Sequence, residues 1–371
     1  MNRLSHCLKQ ITGVHGQLFR RAVQYAFAAV VVLIGVEFSY FVSQLEQAIR
    51  PTVSRPPGIE AFLPISSLIS LKYWLVSGIF NHVHPSGLII LLVVLSTAFL
   101  LKRGFCSWVC PFGLLTECLS RIHFSIFKKN AKMPRRLDYP LRSLKYLLLV
   151  FFLWAIVIKM DTKALNDFIH SPYNMVADIK MLYFFTHITP FVFWVLAALI
   201  VLSILIRNFW CRYLCPYGAL LGVLSFASIF KIHRHQETCT NCKRCTHACP
   251  ADIKIHKTSC VLSDECHACL KCVTICPEKD TLYISASRRK AILKPWVYAA
   301  AICLLFIVGS LAGRMTGYWQ NSISDNEYLF HVRHLELPIY QHNRGRVPDY
   351  NRALWLRTMQ KLREDNQNKY P

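Results

Sequence analysis

Acidic residues are scarce in this chain: 20 Asp and Glu stand against 43 Lys and Arg, for a formal net charge of +23. That imbalance belongs to a nucleic-acid binder or to a protein set at an anionic membrane surface. The distribution excludes nucleic acid as a partner. Residues 236–285 hold six cations and six acids and are neutral, whereas the excess lies in stretches that flank apolar runs. Nucleotide signatures are missing too. No Gly-rich dinucleotide fingerprint and no P-loop occurs, so bound NAD(P)H is not the expected source of electrons. No Cys-x-x-Cys-His stands anywhere, which removes c-type haem. No small-residue cleavage site follows the apolar run behind Arg20 and Arg21, and that run reads as an uncleaved signal anchor.

What the chain has in quantity is apolar surface and cysteine. Of 371 residues, 54% are hydrophobic and the mean hydropathy is +0.32, which suits a membrane protein. Five apolar runs stand out: Ala22–Val42 (interrupted by Glu37), Ser86–Leu101, Leu144–Ile158, Phe191–Ile206 and Trp296–Leu311. Several fall short of the roughly 20 residues of a full span, so flanking residues must extend them or the bilayer must thin. Lys and Arg orient the chain. Residues 102–145 hold ten of them against only Glu117 and Asp138, and 207–294 hold fourteen, but 43–85 and 159–189 hold three each. The first two stretches are therefore expected in the cytoplasm with the N-terminus, and the tail after Leu311 outside. The expected location is a bacterial inner membrane, multi-pass.

Twelve of the sixteen Cys fall in motifs. The strongest motif is written twice: Cys239-x-x-Cys242-x-x-Cys245-x-x-x-Cys249-Pro250 and Cys266-x-x-Cys269-x-x-Cys272-x-x-x-Cys276-Pro277. In this bacterial two-cluster ferredoxin pattern, three close thiolates wrap one cubane and the fourth reaches the other. Cys239, Cys242, Cys245 and Cys276 are thereby assigned to one [4Fe–4S] cluster. Cys266, Cys269, Cys272 and Cys249 are assigned to the second. Zinc would need four ligands in two pairs, whereas here eight Cys fall in two matching runs, each closed by Pro. The remaining Cys7, Cys118, Cys260 and Cys303 are expected to be bland, with Cys260 an alternative ligand. Disulfides do not suit the reducing cytoplasmic side.

An internal repeat surrounds a second motif. His82-x-x-Pro85, an apolar run, then Phe105-Cys106-Ser-Trp-Val-Cys110-Pro111-Phe112-Gly113 matches His187-x-x-Pro190, its run, and Trp210-Cys211-Arg-Tyr-Leu-Cys215-Pro216-Tyr217-Gly218, each pair 105 residues apart. Both units begin and end in the cytoplasm, which makes the repeat parallel. Cys at i and i+4 share a helix face. Cys106, Cys110, Cys211 and Cys215 can therefore converge as a four-thiolate site for a third cluster or a thiophilic metal. Redox-active thiols and small buried thiols stay open as alternatives. His82 and His187, with His84 nearby, suit proton exchange with a quinone beside an apolar pocket, or simply cap a helix at the interface.

Taken together, these motifs resemble the membrane-bound polyferredoxins of the NapH type, with relatives among NosR-type regulators and CcoG-type copper-handling proteins. The resemblance covers about residues 20–285. It implies four transmembrane helices, two cytoplasmic [4Fe–4S] clusters and electron transfer linked to the quinone pool. Beyond that pattern a fifth helix and an external tail are expected in this chain, and an extended N-terminal region of the NosR kind is not expected.

The expected fold is thus an all-α integral membrane protein with about five transmembrane helices, an internal parallel repeat and an inserted two-cluster ferredoxin-type domain. Its parts are a cytoplasmic N-terminus (1–21), a first repeat (22–118), a basic connector (119–142) and a second repeat (143–232). The ferredoxin domain (236–285), a fifth helix (292–312) and a periplasmic tail (313–371) follow. Residues 66–80 and the stretches 119–127 and 220–232 are expected as surface-lying helices, and another helix is expected from Asp349, with Trp355, Met359 and Leu362 on one face. The expected function is electron transfer between quinol or a cytoplasmic donor and a partner reductase or periplasmic carrier. The alternatives are a metal-handling assembly factor of cupric reductase type and a redox-sensing regulator.

Overall fold

The structure is a computed structural model that describes residues 2–128, 133–278, 280–286, 292–340 and 357, with side chains from residue 16. The helix expected from Asp349, part of the basic connector and the side chain of Cys7 lie outside the described residues. Helix α1 (Asn2–Glu46) runs through the double arginine instead of starting after it. There follow α2 (Pro64–Ser77), α3 (Pro85–Leu101), the short α4 (Gly104–Trp108) and α5 (Pro111–Phe127). Helix α6 (Arg135–Leu153) continues into a π-helical turn at Trp154–Lys159. Then come α7 (Thr162–Ile169), α8 (Pro172–Met175), α9 (Ala177–Thr186), α10 (Pro190–Leu205) and α11 (Pro216–Leu224). The ferredoxin segment supplies β1 (Lys231–Arg234), α12 (Arg244–Ala248), α13 (Lys271–Ile275) and β2 (Leu282–Ser285), before α14 (Pro295–Met315) and α15 (Asp325–Arg333). Proline opens seven of these helices, where its missing N–H would have had no intrahelical partner.

Three described helical stretches are long and apolar enough to cross a membrane: Gly16–Glu46, Arg136–Lys159 and Pro295–Met315. A fourth candidate is the pair α9–α10, bent by 78° at its break. Helix α3 has 17 residues, about 26 Å of helix against roughly 30 Å of hydrocarbon. Five full-length spans are therefore not all present as single straight helices. The stretch expected as a helix over 220–232 is also divided. Helix α11 ends at Leu224, and Lys231–Arg234 joins a strand because β2 is there to pair with it.

The chain folds as two compact units. Unit 1 comprises Met1–Leu33, Leu92–Phe152 and Ile188–Ala312. Its sheet is the antiparallel pair β1–β2, in register Lys231↔Ser285 to Arg234↔Leu282, which closes the chain around the two Cys runs. Beneath lies one core, with Ile232, Leu270, Leu282 and Ile284 of the ferredoxin segment packed with Trp108, Tyr298 and Ile302. Trp108 is fully buried, its Nε1–H donates to Ala268 O at 3.1 Å, and Tyr298 O–H donates to Leu101 O. Gly104 is required at this crossing, since a Cβ there would stand 2.5 Å from the Tyr298 hydroxyl.

Unit 2 comprises Ile34–Leu91, Leu153–His187 and Gly313–Pro371. Phe38, Phe41, Leu45, Ile69, Leu165, Met175 and Tyr328 form its core. Set in that core is a polar knot. Arg55 donates to Asp178 (2.6 Å) and Glu60 (2.8 Å), Glu60 also accepts from Ser86 and the Gly87 N–H, and His84 bridges Glu60 and Asn174 O. Burial opposes ionisation of Glu60, but the Arg55 charge and the His84 bond hold its carboxyl down to about 2.

Candidate functional site

The two Cys runs fold alike, 27 residues apart. In each, the third Cys rides on a one-turn helix, Cys245 on α12 and Cys272 on α13, and the fourth, Cys249 or Cys276, ends that helix in extended conformation. Non-glycine residues take left-handed backbone at matching places: Asn241 and Lys243 in the first loop, Ala268 and Leu270 in the second. Such residues cost of order 1–2 kcal/mol each, and here they turn backbone N–H groups toward sulfur. The N–H groups of Asn241, Thr246 and Glu278 donate to Cys239, Cys245 and Cys276. Those of Ala268 and of Ala251 and Ile253 donate to Cys266 and Cys249.

Cys239, Cys242, Cys245 and Cys276 line one small cavity with Pro277 and Leu282. Cys249, Cys266, Cys269 and Cys272 line a second with Ile232, Ile255 and Leu270. Each quartet thus takes its fourth thiol from the other run. Burial, and then the neighbouring thiols Cys269 and Cys266, push Cys249 up to about 12. A thiol so raised stays protonated at neutral pH unless a positive centre claims it. The donor set therefore suits a [4Fe–4S] cluster: four soft sulfurs, aimed N–H groups and an apolar shell. Among the described residues no group of three His, Cys, Asp or Glu is spaced to hold one metal ion. Cys260 lines neither cavity and bridges to His233 through backbone.

The Cys-x-x-x-Cys-Pro motifs also come together. Cys110 is the N-cap of α5 and Cys215 that of α11, where Gly218 N–H donates to Cys215 Sγ at 3.2 Å. Burial, and then Cys106 and Cys211, push the Cys110 thiol far up, and Cys211 rises to about 12 through burial and its neighbours Cys215 and Cys106. The four motif thiols are half-buried, and Cys110, Cys211 and Cys215 are each pushed up by burial and by the other motif thiols. Between Cys106 and Cys211 of these motifs and Cys269 of the second ferredoxin quartet lies a cavity of about 270 Å³. Arg103 stands on its wall, 4% exposed, with Nη1 donating to Asp264 O at 2.6 Å and its charge opposing the rise of the Cys215 thiol.

Sequence reasoning missed this cationic shell. Arg20, read from the sequence only as a charge ahead of the first apolar run, is 1% exposed and makes two 2.8 Å bonds to Glu117, which also accepts from Lys271 at 2.9 Å. Asp138 likewise accepts from Arg212 at 3.0 Å through both oxygens. A signal was available: Glu117 and Asp138 are the only acids in a stretch with ten cations. His82 and His187 line none of the three cavities. Both are exposed, His82 beside the Tyr318 ring and His187 beside Tyr183 and Thr186. His84 is instead buried in the unit 2 knot.

Comparison with known proteins follows the same division of the chain. A family model described as a 4Fe-4S binding domain matches residues 83–134 and again 186–235, and a 4Fe-4S dicluster domain matches 231–277. The chain is 39% identical over 316 residues to the "Putative electron transport protein YccM" of Escherichia coli, covering 84% of this chain and 88% of that one. It is 28% identical to the ferredoxin-type protein NapH of Haemophilus influenzae, over 51% of this chain and 64% of that one. To the regulatory protein NosR of Pseudomonas aeruginosa it is 29% identical, over 51% of this chain and 26% of that one. No solved structure matches. With its double ferredoxin run, its apolar helices and these relatives, the chain belongs to the membrane-associated 4Fe-4S ferredoxin-type proteins of the NapH/NosR group.

Proposed function

We propose that this protein carries electrons at the cytoplasmic face of a bacterial inner membrane, between quinol or a cytoplasmic donor and a partner reductase or periplasmic carrier. Two [4Fe–4S] clusters are held by Cys239, Cys242, Cys245 and Cys276 and by Cys249, Cys266, Cys269 and Cys272, and a third centre by Cys106, Cys110, Cys211 and Cys215. When bound, such clusters supply one-electron transfer. The chain's own residues hold the thiolates, exclude water through Ile232, Ile255, Leu270 and Leu282, and set positive charge beside them through Arg103 and Lys271.

The observation that carries this reading is the shared cavity, which has a thiol of the second ferredoxin quartet and thiols of both Cys-x-x-x-Cys-Pro motifs on its walls. A purely structural role for the motif Cys does not call for that proximity. The matching family model at two segments of the chain supports the parallel repeat, with α3 and α10 as its equivalent returning helices. His82 and His187 are kept as candidate quinone contacts on their symmetric positions alone. The relatives' names, a ferredoxin-type protein and a putative electron transport protein, make a redox partner the expected class.

The test is iron and acid-labile sulfide per chain on anaerobically purified protein, with copper and zinc in the same assay. The Cys106/Cys110/Cys211/Cys215→Ser variant is measured alongside. About twelve irons, falling to about eight in the variant, is the expected result. About eight in both removes the third centre, and copper lost in the variant makes the protein a metal-handling factor instead.

A further inference from the structure

The cavity beside Cys106, Cys211 and Cys269 has a second character that electron transfer does not require. Its walls carry six cations, Arg21, Arg103, Arg121, Arg207, Arg212 and Lys271, against two carboxylates, Glu117 and Glu265. Those carboxylates are already engaged, Glu117 by Arg20 and Lys271 and Glu265 by Lys145. Arg212 is taken by Asp138. Three guanidinium groups, on Arg21, Arg103 and Arg207, thus face the space without a bonded carboxylate among the described residues. Two of them present buried nitrogens with no hydrogen-bond partner, Arg103 Nε and Arg207 Nε, and the neighbouring His267 Nδ1 is also unpartnered. An unsatisfied buried guanidinium nitrogen is costly, and among the described residues two of the four arginines that carry one stand at this cavity, the others being Arg55 and Arg142.

The motif thiols do not account for the whole space. Cys110 and Cys215 are not on its walls, so a group held by all four thiols lies at its edge. The remaining side is formed by Arg121, Arg207 and Phe124, where the Arg207 guanidinium carbon stands 5.6 Å from the Phe124 ring centre. Arg121 and Phe124 are partly open to the outside, which provides an entry. We propose that this cavity is a binding site for a small oxyanion of the phosphate class, supplied either as the free ion or as the headgroup of an anionic lipid, with Arg103 and Arg207 as its principal donors. Planar guanidinium groups match tetrahedral oxyanions through paired N–H bonds, and basic pockets at the cytoplasmic ends of membrane helices suit lipid phosphates.

The experiment uses the full chain, purified anaerobically and placed in nanodiscs of neutral phosphatidylcholine or of phosphatidylcholine with phosphatidylglycerol. Inorganic phosphate is titrated calorimetrically into the neutral discs, and retained phosphatidylglycerol is counted by native mass spectrometry from the mixed discs. Saturable phosphate binding, weakened at least tenfold in Arg207→Gln and in Arg103→Gln but unchanged in the surface control Lys257→Gln, supports a free-ion site. No phosphate heat, with one phosphatidylglycerol per chain retained by the wild type and lost in Arg207→Gln, supports the headgroup source. Absence of both, or binding that Arg207→Gln leaves unchanged, overturns the proposal. Arg207 is only partly buried, so that variant reports even if Arg103→Gln fails to fold. Iron and sulfide measured on the same samples separate the two readings: full iron without anion binding overturns this site alone.

Discussion

Glu117 is the residue on which the interior of unit 1 turns. Burial opposes its ionisation, but the hydrogen bonds from Arg20 and the charges of Lys271 and Arg20 hold its carboxyl well below the usual carboxylate range. The pair is worth less than its short distances suggest, because removing two charges from water is expensive. Its loss on one side is a different matter, since Arg20 is almost wholly buried and cannot re-enter solvent. Glu117→Gln is therefore expected to destabilise the protein by about 3 kcal/mol, read as a lower unfolding midpoint in detergent. Arg20→Gln in the same chain should restore part of it. If the single variant unfolds like the wild type, Arg20 has another anion to turn to.

At the scale of elements, what could be read from the sequence is what local composition decides. Three apolar runs lie within about five residues of α3, α10 and α14, because proline and an uninterrupted apolar composition are local properties. Within each Cys run, spacing alone dictates which three thiols one loop can bring together, whereas the fourth Cys on each cavity wall comes from the other run. The continuation of α1 back through Arg20 was not legible, since it depends on an acid 97 residues away. Nor was the strand at Lys231–Arg234, which exists through pairing with Leu282–Ser285. Gly113 shows how tight the Cys-x-x-x-Cys-Pro turn is. A Cβ there would stand 2.0 Å from the backbone oxygen of Cys106, a contact no rotamer change relieves. Gly113→Ala should consequently force the first turn of α5 away from Cys106, at a cost of about 1–3 kcal/mol. It should also abolish the iron attributed to the motif Cys while leaving about eight irons in the ferredoxin quartets. Gly35→Ala, where an added methyl meets nothing within 4 Å, is the control and should leave iron content unchanged. Full iron in Gly113→Ala would mean that the motif thiols do not share a centre.

For the whole molecule, three described helical stretches span by length alone, and a path made of those three only conflicts with contacts inside unit 1. If α1, α6 and α14 were the only crossings, residues 47–134 would lie outside and the ferredoxin segment inside. Yet Trp108 donates to Ala268 O at 3.1 Å, Arg103 to Asp264 O at 2.6 Å, and Lys271 to Glu117 at 2.9 Å. Those bonds hold residues 103–117 against the ferredoxin segment, and in the proposed five-crossing path the chain would return between Glu46 and Arg103 by α3, a short apolar helix. The same reasoning applies after α6: Asp138 and Asp252 both meet Arg212, the first at 3.0 Å and the second at 3.9 Å. In the same proposed path the chain would leave by α6 and come back by the bent pair α9–α10. Short helices can manage this where flanking residues and a locally thinned bilayer cover the mismatch, and the low Lys/Arg counts of 43–85 and 159–189 suit segments left outside. Alkaline phosphatase fused after Val53 or Lys163 should accordingly be active, and green fluorescent protein fused after Lys128 or Ala286 should fluoresce. Phosphatase activity after Lys128 would sink the five-crossing path, because it would require the bonds between Trp108, Glu117 and the ferredoxin segment to form across a membrane.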